Sequence, residues 1–348
     1  MKSNELKFNR EYYKDLIKKH GYDEIDFEAI NFSLNSLNVS ALERKFVCHH
    51  HGDIFAKNLN EGKRSIVTTG FGLSGHPHLG SISEMLKMIE FQKAGLDTQI
   101  VLGDLDSYNA RKQSLPIVRK RVESFTDFIL NLGYKDTRKG IRDQYSHQDV
   151  IHTAYLVSHY LDDKDFEEAE EDLSYLYKDN GIYKKISFPM KMALLLMVAD
   201  FIHLGLVEGY ENILITLGIE EHKYVLLTKK VVERMGLKFH IGAMYGKIIK
   251  GLSGYPKMCK SIKGSAIDVT TPRETRVELI TSNSDSREDP EQNAVYQMME
   301  QTSRYDEITL DRLHEICKTG SNKDWLSVRH KYAEDLNELL EAWPKDTC

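Results

Sequence analysis

The strand–loop–helix–strand pattern of residues 64–104 constrains the fold of this chain more than any other feature. The run SIVTT is rich in β-branched residues, and a glycine-rich loop and the helical segment SISEMLKMIEFQKAG follow it. TQIVLGD then has the composition of a second strand. Two strands that are connected through a helix lie parallel, so the pattern predicts a parallel sheet covered by helices. The expected fold class is therefore α/β.

The same alternation resumes after a helical insertion. Apolar residues recur with helical spacing in residues 115–131, and MALLLMVADFIHLGL, NILITLG and KYVLLTKKVVERMG read as helix, strand and helix. Residues 143–181 hold the acidic run DDKDFEEAEEDL, which is typical of a solvated helix face, and beyond about residue 270 only helical patterns occur. We expect an N-terminal extension, a Rossmann-like parallel-sheet domain and a helical C-terminal domain, with boundaries 1–63, 64–269 and 270–348.

The net charge of −6 argues against a chain that coats nucleic acid over its whole surface. Two basic clusters, Arg111-Lys112 and Arg119-Lys120-Arg121, are candidate phosphate contacts, but a solvated helix face accounts for them better. The cysteines are far apart and form no C-x-x-C pair, which favours a reducing, cytoplasmic setting. They are Cys48, Cys259, Cys317 and Cys348.

Neither a membrane span nor a metal site is expected. The N-terminal residues MKSNELKFNREYYKD contain no apolar run of the signal-peptide kind. The most apolar stretch, residues 192–207, is short and contains Asp200 and His203, so we interpret it as a buried helix. Consecutive strand residues point to opposite faces, so the run from Cys48 to His51 predicts a polar strand or turn rather than a set of metal ligands.

Two kinds of phosphate site are compatible with the glycine-rich loop. Gly70, Gly72 and Gly75 form G-x-G-x-x-G, a pattern that is typical of dinucleotide sites. Such sites place an acidic residue about 20 positions further on, but Asp104 lies well beyond that distance. Two histidines and Pro77 also interrupt the expected start of the helix. A nicotinamide-dependent oxidoreductase is therefore the least favoured alternative.

Two separate loops carry a resemblance to a known family. Ser74-Gly75-x-x-His78-Leu79-Gly80 resembles the S-G-x-x-H-x-G-H element of class I aminoacyl-tRNA synthetases. The segment from Gly254 to Ser261 resembles their mobile K-M-S-K-S loop, with Cys259 in place of serine. Ser265-Ala266-Ile267 follows at the distance expected for tryptophanyl and tyrosyl enzymes. The resemblance identifies the Rossmann-like domain as catalytic, on which the N-terminal extension packs.

The resemblance implies a role for each residue of the two loops. Gly70, Gly72, Gly75 and Gly80 would let ATP approach the backbone closely, and Met258 would lie beside it. His78 would hydrogen-bond the phosphates. Lys257 and Lys260 would neutralise pyrophosphate as it leaves, because charge that builds on the phosphates needs preorganised positive groups. The implied nucleotide is ATP with Mg²⁺, and no protein-bound metal is implied.

Three further segments resemble substrate-binding elements of the family. In Leu217-Gly218-Ile219-Glu220-Glu221, similar to a G-x-D-Q segment, Gly218 and Glu220 would bind the ATP ribose and Glu221 would face the substrate. The stretch from Met197 to Asp200 resembles the M-A-A-D helix of tryptophanyl enzymes, so Met197 would pack on an aromatic side chain and Asp200 would accept its N–H or O–H. Asp104 begins a segment similar to the tyrosyl A-D-L-H-A-Y and is also expected at the substrate.

The resemblance extends to both ends of the chain. Residues 13–17, 43–46 and 53–55 are similar to the N-terminal region of archaeal and eukaryotic tryptophanyl enzymes, and the C-terminal helices are similar to their anticodon-binding domain. The implied function is ATP-dependent activation of an aromatic amino acid, tryptophan favoured over tyrosine, and its transfer to the 3′ end of tRNA. A cytoplasmic homodimer is implied.

Several positions depart from the family pattern. Ser81 stands where the family has its second histidine, and a serine donates a hydrogen bond but carries no charge. Glu220, Glu221 and Cys259 are departures as well. The alternative is therefore a divergent paralogue that forms the adenylate and passes the activated amino acid to an acceptor other than tRNA.

Overall fold

The computed structural model describes residues 8–25, 42–135, 140–172, 174–182, 185–259 and 262–344. Within these residues, one sheet contains β1 (Asp23–Glu24), β2 (Phe46–His50), β3 (Ser65–Gly72), β4 (Thr98–Gly103), β5 (Ile141–Asp143), β6 (Asn212–Gly218) and β7 (His240–Gly246). The helices are α1 (Arg10–His20), α2 (Gly52–Asn60), α3 (Leu79–Lys93), α4 (Asp104–Arg111), α5 (Leu115–Asn131), α6 (Gln148–Ser158), α7 (Asp163–Glu168), α8 (Ser174–Asp179), α9 (Phe188–Leu206), α10 (His222–Arg234), α11 (Arg273–Thr281), α12 (Ala294–Thr302), α13 (Glu307–Thr319) and α14 (Asn322–Leu340).

In the strand order β1-β2-β7-β6-β3-β4-β5, β3 is the middle one of the five strands from β7 to β5. Strands β3 to β7 are mutually parallel, whereas β2 pairs antiparallel with β7 and β1 pairs antiparallel with β2. The prediction of a parallel, Rossmann-like α/β sheet is confirmed. The chain adds β4 and β5 on one side of β3 and then returns to add β6 and β7 on the other. Ligands of open α/β sheets bind at such a reversal, beyond the carboxyl ends of the strands.

Helices bury both faces of the sheet. Adjacent residues of β6 enter different apolar clusters: Leu214 packs with residues of α3 and α5, whereas Ile213 and Ile215 pack with residues of α9 and α10. This division follows from the alternation of side chains along a strand. Burying each such aliphatic side chain stabilises the fold by roughly 1.5–3 kcal/mol. Strands of this kind have an almost continuous apolar sequence, which is why NILITLG was recognisable.

Helix α9 passes through the interior of the protein. Of the described helices it alone is long and apolar enough to cross a membrane, but 56% of its apolar window is buried inside the protein. Asp200 and His203 lie on it and are bonded to Gln144 and Thr153. It packs against α4 and α6. These contacts are those of a core helix, as the sequence predicted.

Two predictions about charged surfaces are wrong. The acidic run is not simply a solvated face, because Asp165 is 1% exposed and forms ion pairs with Lys230 and Arg234 of α10. The basic cluster on α5 is likewise engaged within the protein. Arg119 pairs with Asp104 and Asp143, and Arg121 donates to the carbonyl of Leu73. In both segments charges that looked solvated join neighbouring elements.

A buried ion pair lies within α3, on the side of the helix that packs against the sheet. The ammonium of Lys87 is fully buried, 2.5 Å from Oε1 of Glu84 and over the ring of Phe46. Replacing Lys87 by methionine is expected to destabilise the protein by about 3–5 kcal/mol, because it leaves a carboxylate without its cation. The double variant Lys87→Met/Glu84→Gln should recover most of that loss. Urea unfolding of the wild type, the two single variants and the double variant measures the coupling energy between Lys87 and Glu84. If the two substitutions change the free energy of unfolding independently, the proposed ion pair contributes nothing.

The described cysteines are all unpaired and buried in different parts of the chain. Cys48 lies in β2, Cys259 in the loop before α11, and Cys317 in α13. Burial raises the pKa of Cys48 far above its usual range and that of Cys317 to about 11.

Candidate active site

A cavity of about 330 Å³ lies where β3 and β6 end, at the reversal of the strand order. Most of the predicted site residues line it although they come from distant parts of the sequence. They are Gly70, Gly72, His78, Gly80, Met197, Asp200, Gly218, Glu220, Glu221, Lys257 and Met258. Ser81, on the first turn of α3, also lines the cavity. Among the residues that the structure describes, no three His, Cys, Asp or Glu side chains are arranged to hold a metal ion.

His78 caps helix α3 and thereby fixes its own orientation. Its backbone is extended, and its Nδ1 accepts the N–H of Gly80 at 3.0 Å. Because Nδ1 uses its lone pair, the proton of the neutral ring lies on Nε2, which is then a donor. A methyl group on Gly80 would lie 2.8 Å from Cε1 of His78. Gly80 is therefore required by the close approach of the histidine ring.

Backbone hydrogen bonds join the segments that follow the two signature loops. Leu79 N–H donates to the carbonyl of Ile267 at 3.2 Å, and Val269 N–H donates to that of Pro77 at 3.3 Å. His78 and Asp268 form an isolated antiparallel bridge. The start of α3 and the segment after the lysine loop are thus held together, beside the cavity that both loops border.

Lys257 points into the cavity and contacts two carboxylates. Its Nζ lies 3.1 Å from Oε1 of Glu220 and 3.8 Å from Oε2 of Glu171. Burial acts to lower the pKa of Lys257, but Tyr177 and the nearby carboxylates outweigh burial and hold that pKa well above its usual range. Lys257 is therefore a full positive charge in a poorly hydrated place, where Coulomb attraction to phosphates is strong.

The lysine loop is folded onto the protein. The hydroxyl of Ser265 accepts the N–H of Cys259 at 3.1 Å and donates to backbone carbonyls of the same loop. Cys259 and Ile262 form a small apolar cluster with Tyr177 of α8. Cys259 thus fills an apolar gap that a serine would fill less well. Lys260 lies outside the described residues.

Glu220 folds back over the end of β6. A methyl group on Gly218 would collide with the carboxylate of Glu220, so this position admits only glycine in the observed arrangement. One oxygen of Glu220 pairs with Lys257, while Oε2 is buried and has no hydrogen bond to any residue that the structure describes. A buried carboxylate oxygen without a donor is costly, and a ligand hydroxyl placed here would satisfy it.

Asp200 has the partner that its burial requires. Nε2 of Gln144 donates to Oδ2 of Asp200 at 2.7 Å, and Oε1 of Gln144 in turn accepts the backbone N–H of Asp106. Burial raises the pKa of Asp200 to about 7 despite that hydrogen bond. Met197 lies one helical turn away and lines the same wall. This wall combines apolar surface with one strong acceptor, as an aromatic side chain with a polar N–H or O–H demands.

Two predicted residues lie outside the cavity lining. Asp104 is fully buried, accepts from Arg119 at 2.7 Å and accepts the backbone N–H groups of Leu105 and Tyr145. Its carboxylate therefore supports the wall behind the cavity. This arrangement also removes the acid that the nicotinamide alternative needs for a ribose. Gly75 lies in the loop before His78, away from the lining.

Gln144, Glu171 and Tyr224 are among the cavity side chains that sequence reasoning missed. The hydroxyl of Tyr224 donates to Oε1 of Glu171 at 2.7 Å, which links α10 to the helical insertion. Glu171 lies near the end of the acidic run, whose composition is typical of a solvated helix. Nothing local distinguishes it; only the return of the insertion over the sheet brings it to Lys257.

Comparisons with known proteins agree on one family. The model of the family "tRNA synthetases class I (W and Y)" matches residues 60–340. The chain is similar to the tryptophan–tRNA ligase of Aeropyrum pernix, 28% identical over 68% of this chain and 62% of that protein, so under two thirds of this relative is spanned. The corresponding ligase of Methanopyrus kandleri is 25% identical over 86% and 82%. The structure of the Aeropyrum pernix tryptophanyl-tRNA synthetase superposes with a TM-score of 0.77 at 21% identity, over 96% of this chain and 92% of that one.

Proposed function

The chain belongs to the class I tRNA synthetases of the tryptophan and tyrosine type, and from that premise we propose that it activates an aromatic amino acid with ATP. Tryptophan is favoured over tyrosine because the relatives from Aeropyrum pernix and Methanopyrus kandleri described above are tryptophan–tRNA ligases. The activated amino acid passes to the 3′ end of tRNA. Family membership supports this function, and its substrates are proposed from those of the tryptophan–tRNA ligases that the chain resembles.

One observation carries the proposal. Two segments that lie far apart in the sequence, the glycine loop with His78 and the lysine loop with Lys257, border one cavity and are joined through backbone hydrogen bonds. Adenylation requires that these two loops lie beside the same cavity. The amino-acid carboxylate attacks the α-phosphorus of ATP, a new P–O bond forms, and the bond to the β-phosphate breaks as pyrophosphate leaves. Donors and cations must therefore surround one triphosphate.

Several features of the cavity support ATP as its ligand. Gly70 and Gly72 bring backbone without side chains to the cavity wall, while Gly80 and Gly218 make room for the ring of His78 and the carboxylate of Glu220. The oxygen of Glu220 that no described donor reaches would accept a ribose hydroxyl. His78 would donate from Nε2 to a phosphate, and Lys257 would leave Glu220 to neutralise pyrophosphate. Met258 borders the same space. Mg²⁺ would arrive with the phosphates, which carry the oxygen ligands that it prefers.

We propose that the other half of the cavity receives the amino acid. Asp200 would accept the indole N–H of tryptophan or the phenol O–H of tyrosine, with Gln144 holding it in place, and Met197 would pack against the ring. Glu221 borders the backbone of the substrate. Lys260 keeps its predicted role at the pyrophosphate as a proposal. For Gly75 and Asp104 we propose roles that differ from the predicted ones: Gly75 shapes the loop, and Asp104 supports the substrate wall from behind.

The family also supports proposals about assembly. We propose a cytoplasmic homodimer that binds tRNA, with the N-terminal extension of residues 1–63, the catalytic domain of residues 64–269 and an anticodon-binding-like domain of residues 270–348. Sedimentation equilibrium of the full chain tests the dimer. A monomer at micromolar concentration would refute that part of the proposal.

ATP–pyrophosphate exchange with a panel of amino acids tests adenylation directly. We expect exchange with tryptophan or tyrosine and none with aliphatic or charged amino acids. No exchange with any amino acid would refute the proposed function. Charging of total tRNA then identifies the acceptor: uncharged tRNA beside active exchange favours the divergent paralogue, for which Ser81 and Glu221 are the supporting observations.

Ser81 offers a gain-of-function test. Its hydroxyl stands at the cavity in place of a second histidine, and a charged donor there is worth about 1.5–3 kcal/mol. Replacing Ser81 by histidine is expected to raise the rate of exchange roughly tenfold. The exposed Ser158→His variant is the control, since it adds the same side chain on a distant helix. An unchanged or lower rate in the Ser81 variant would show that the site has adapted to serine.

A further inference from the structure

Glu221 stands in a crowd of acidic side chains. It ends the 3₁₀ turn Ile219–Glu221 that follows β6, and it lines the cavity. Five other titratable groups line the same cavity and act on Glu221 or are acted on by it. One is Glu220 in the same turn, and the other four are Glu171 in the connection between α7 and α8, Glu84 of α3, Tyr224 of α10 and Lys257 of the lysine loop.

The described lysines near Glu221 already form ion pairs with other carboxylates. Lys257 lies between Glu220 and Glu171, at 3.1 Å and 3.8 Å, so its single charge is shared by those two carboxylates. Glu84 is paired with Lys87. Within the part of the chain that the structure describes, the carboxyl group of Glu221 makes no ion pair and no hydrogen bond. A negative charge on Glu221 would therefore be partly removed from water and, among the described residues, without a cation of its own.

Neighbouring carboxylates in such a place do not all ionise. When like charges share a poorly hydrated space, one group keeps its proton. Burial, and then the charges of Glu220 and Glu171, raise the pKa of Glu221 well above its usual range. The surrounding carboxylates and the raised pKa both favour the protonated form of Glu221.

We infer that Glu221 works as a neutral carboxylic acid, which binds the amino-acid substrate through one O–H donor and one C=O acceptor, as an amide side chain would. This inference rests on the proposed adenylation activity. A neutral acid also removes an obstacle, because the attacking group is itself a carboxylate and ATP brings further negative charge. An ionised Glu221 would repel both, whereas its O–H donates to a carboxylate oxygen.

The consequence is a loss of amino-acid binding in alkaline solution. When Glu221 gives up its proton, the donor disappears and a like charge appears beside the substrate. The KM for the amino acid is therefore expected to rise about tenfold for each pH unit above the midpoint of that ionisation, with a smaller change in kcat.

Three proteins test this inference: the wild type, Glu221→Gln and Glu171→Gln, each measured by exchange between pH 6 and 10. In Glu221→Gln the alkaline rise of KM should vanish, since an amide does not titrate there. In Glu171→Gln the rise should move to lower pH, because one repelling charge is gone while Tyr224 keeps an acceptor. An alkaline rise that persists unchanged in Glu221→Gln would overturn the inference.

Infrared difference spectroscopy gives a readout that does not depend on activity. The spectrum of the wild type minus that of Glu221→Gln at pH 7.5 should contain the C=O band of a neutral carboxylic acid. Only the carboxylate bands in that difference would overturn the inference, whatever the exchange assay shows. If the neutral band is present but no amino acid supports exchange, the proposed function fails while the protonation of Glu221 stands.

Discussion

Replacement of Lys257 by alanine is expected to slow ATP–pyrophosphate exchange by about 10²–10³-fold, the usual cost of removing one preorganised group from a developing negative charge. The loss should fall mainly on kcat, because charge builds on pyrophosphate in the transition state. In the resting site the ammonium is 8% exposed and held by Glu220 and Glu171. The fold should persist, since Lys257 belongs to a loop beyond the sheet, and far-ultraviolet circular dichroism checks this.

Lys263 supplies the matched control. It is an exposed lysine of the same loop, so Lys263→Ala changes the same charge without touching the cavity and should exchange at close to the wild-type rate. Lys257→Arg keeps the charge and should retain more activity than Lys257→Ala. Exchange at the wild-type rate in Lys257→Ala would remove this lysine from the mechanism.

Replacement of Asp200 by asparagine is the second large expected effect. The KM for the aromatic amino acid should rise about 10- to 100-fold, because a hydrogen bond to a charged acceptor becomes one to a neutral amide. In the wild type the same KM should fall as pH rises towards 7, as the carboxylate forms, and the variant should lack this acid limb. Asp163→Asn, at a carboxylate that is 85% exposed, is the control.

Although Asp200→Asn should weaken binding of the amino acid, it should increase the free energy of unfolding at alkaline pH. The pKa of Asp200 is about 7 in the folded protein and near 3.8 without burial, so the folded state holds the proton more tightly. Stability from this group is complete below about pH 4 and is lost as pH rises to 7. At pH 8 Asp200→Asn should therefore be more stable than the wild type, by on the order of 4 kcal/mol. Urea unfolding at pH 5 and pH 8 measures this; equal differences at both pH values would contradict it.

The parts of the fold that were predictable from the sequence have strong local patterns. Residues 115–131 and 212–218 coincide with α5 and β6, because one has an apolar face of helical period and the other an unbroken apolar run. Strand β7 was missed. Its sequence, HIGAMYG, is short and contains two glycines and an alanine, which local preference places outside strands. It forms because β2 and β6 pair with it on either side.

The residues of the candidate site likewise fall into those with a local sequence signature and those that only the tertiary structure places there. The two loop signatures specify His78, Lys257 and the surrounding glycines because close approach to phosphate restricts the residue types locally. Glu171 and Gln144 carry no such signature, and their positions depend on how the insertion returns over the sheet. Asp104 shows the converse. The sequence around it resembles a substrate-binding segment, but its carboxylate forms an ion pair with Arg119 of α5, the next helix along the chain. Tertiary partners decided these three positions.

The three buried thiols have a further use. A cysteine reacts with a disulfide reagent as its thiolate, so burial protects each thiol until its own part of the protein opens. Cys48 reports on the edge of the sheet, Cys259 on the lysine loop and Cys317 on the C-terminal helices. The labelling rate of each of these three thiols therefore measures local opening in a different part of the unmodified protein. The labelling rate of Cys259 should change when ATP draws Lys257 from Glu220, while the rates of Cys48 and Cys317 should stay the same.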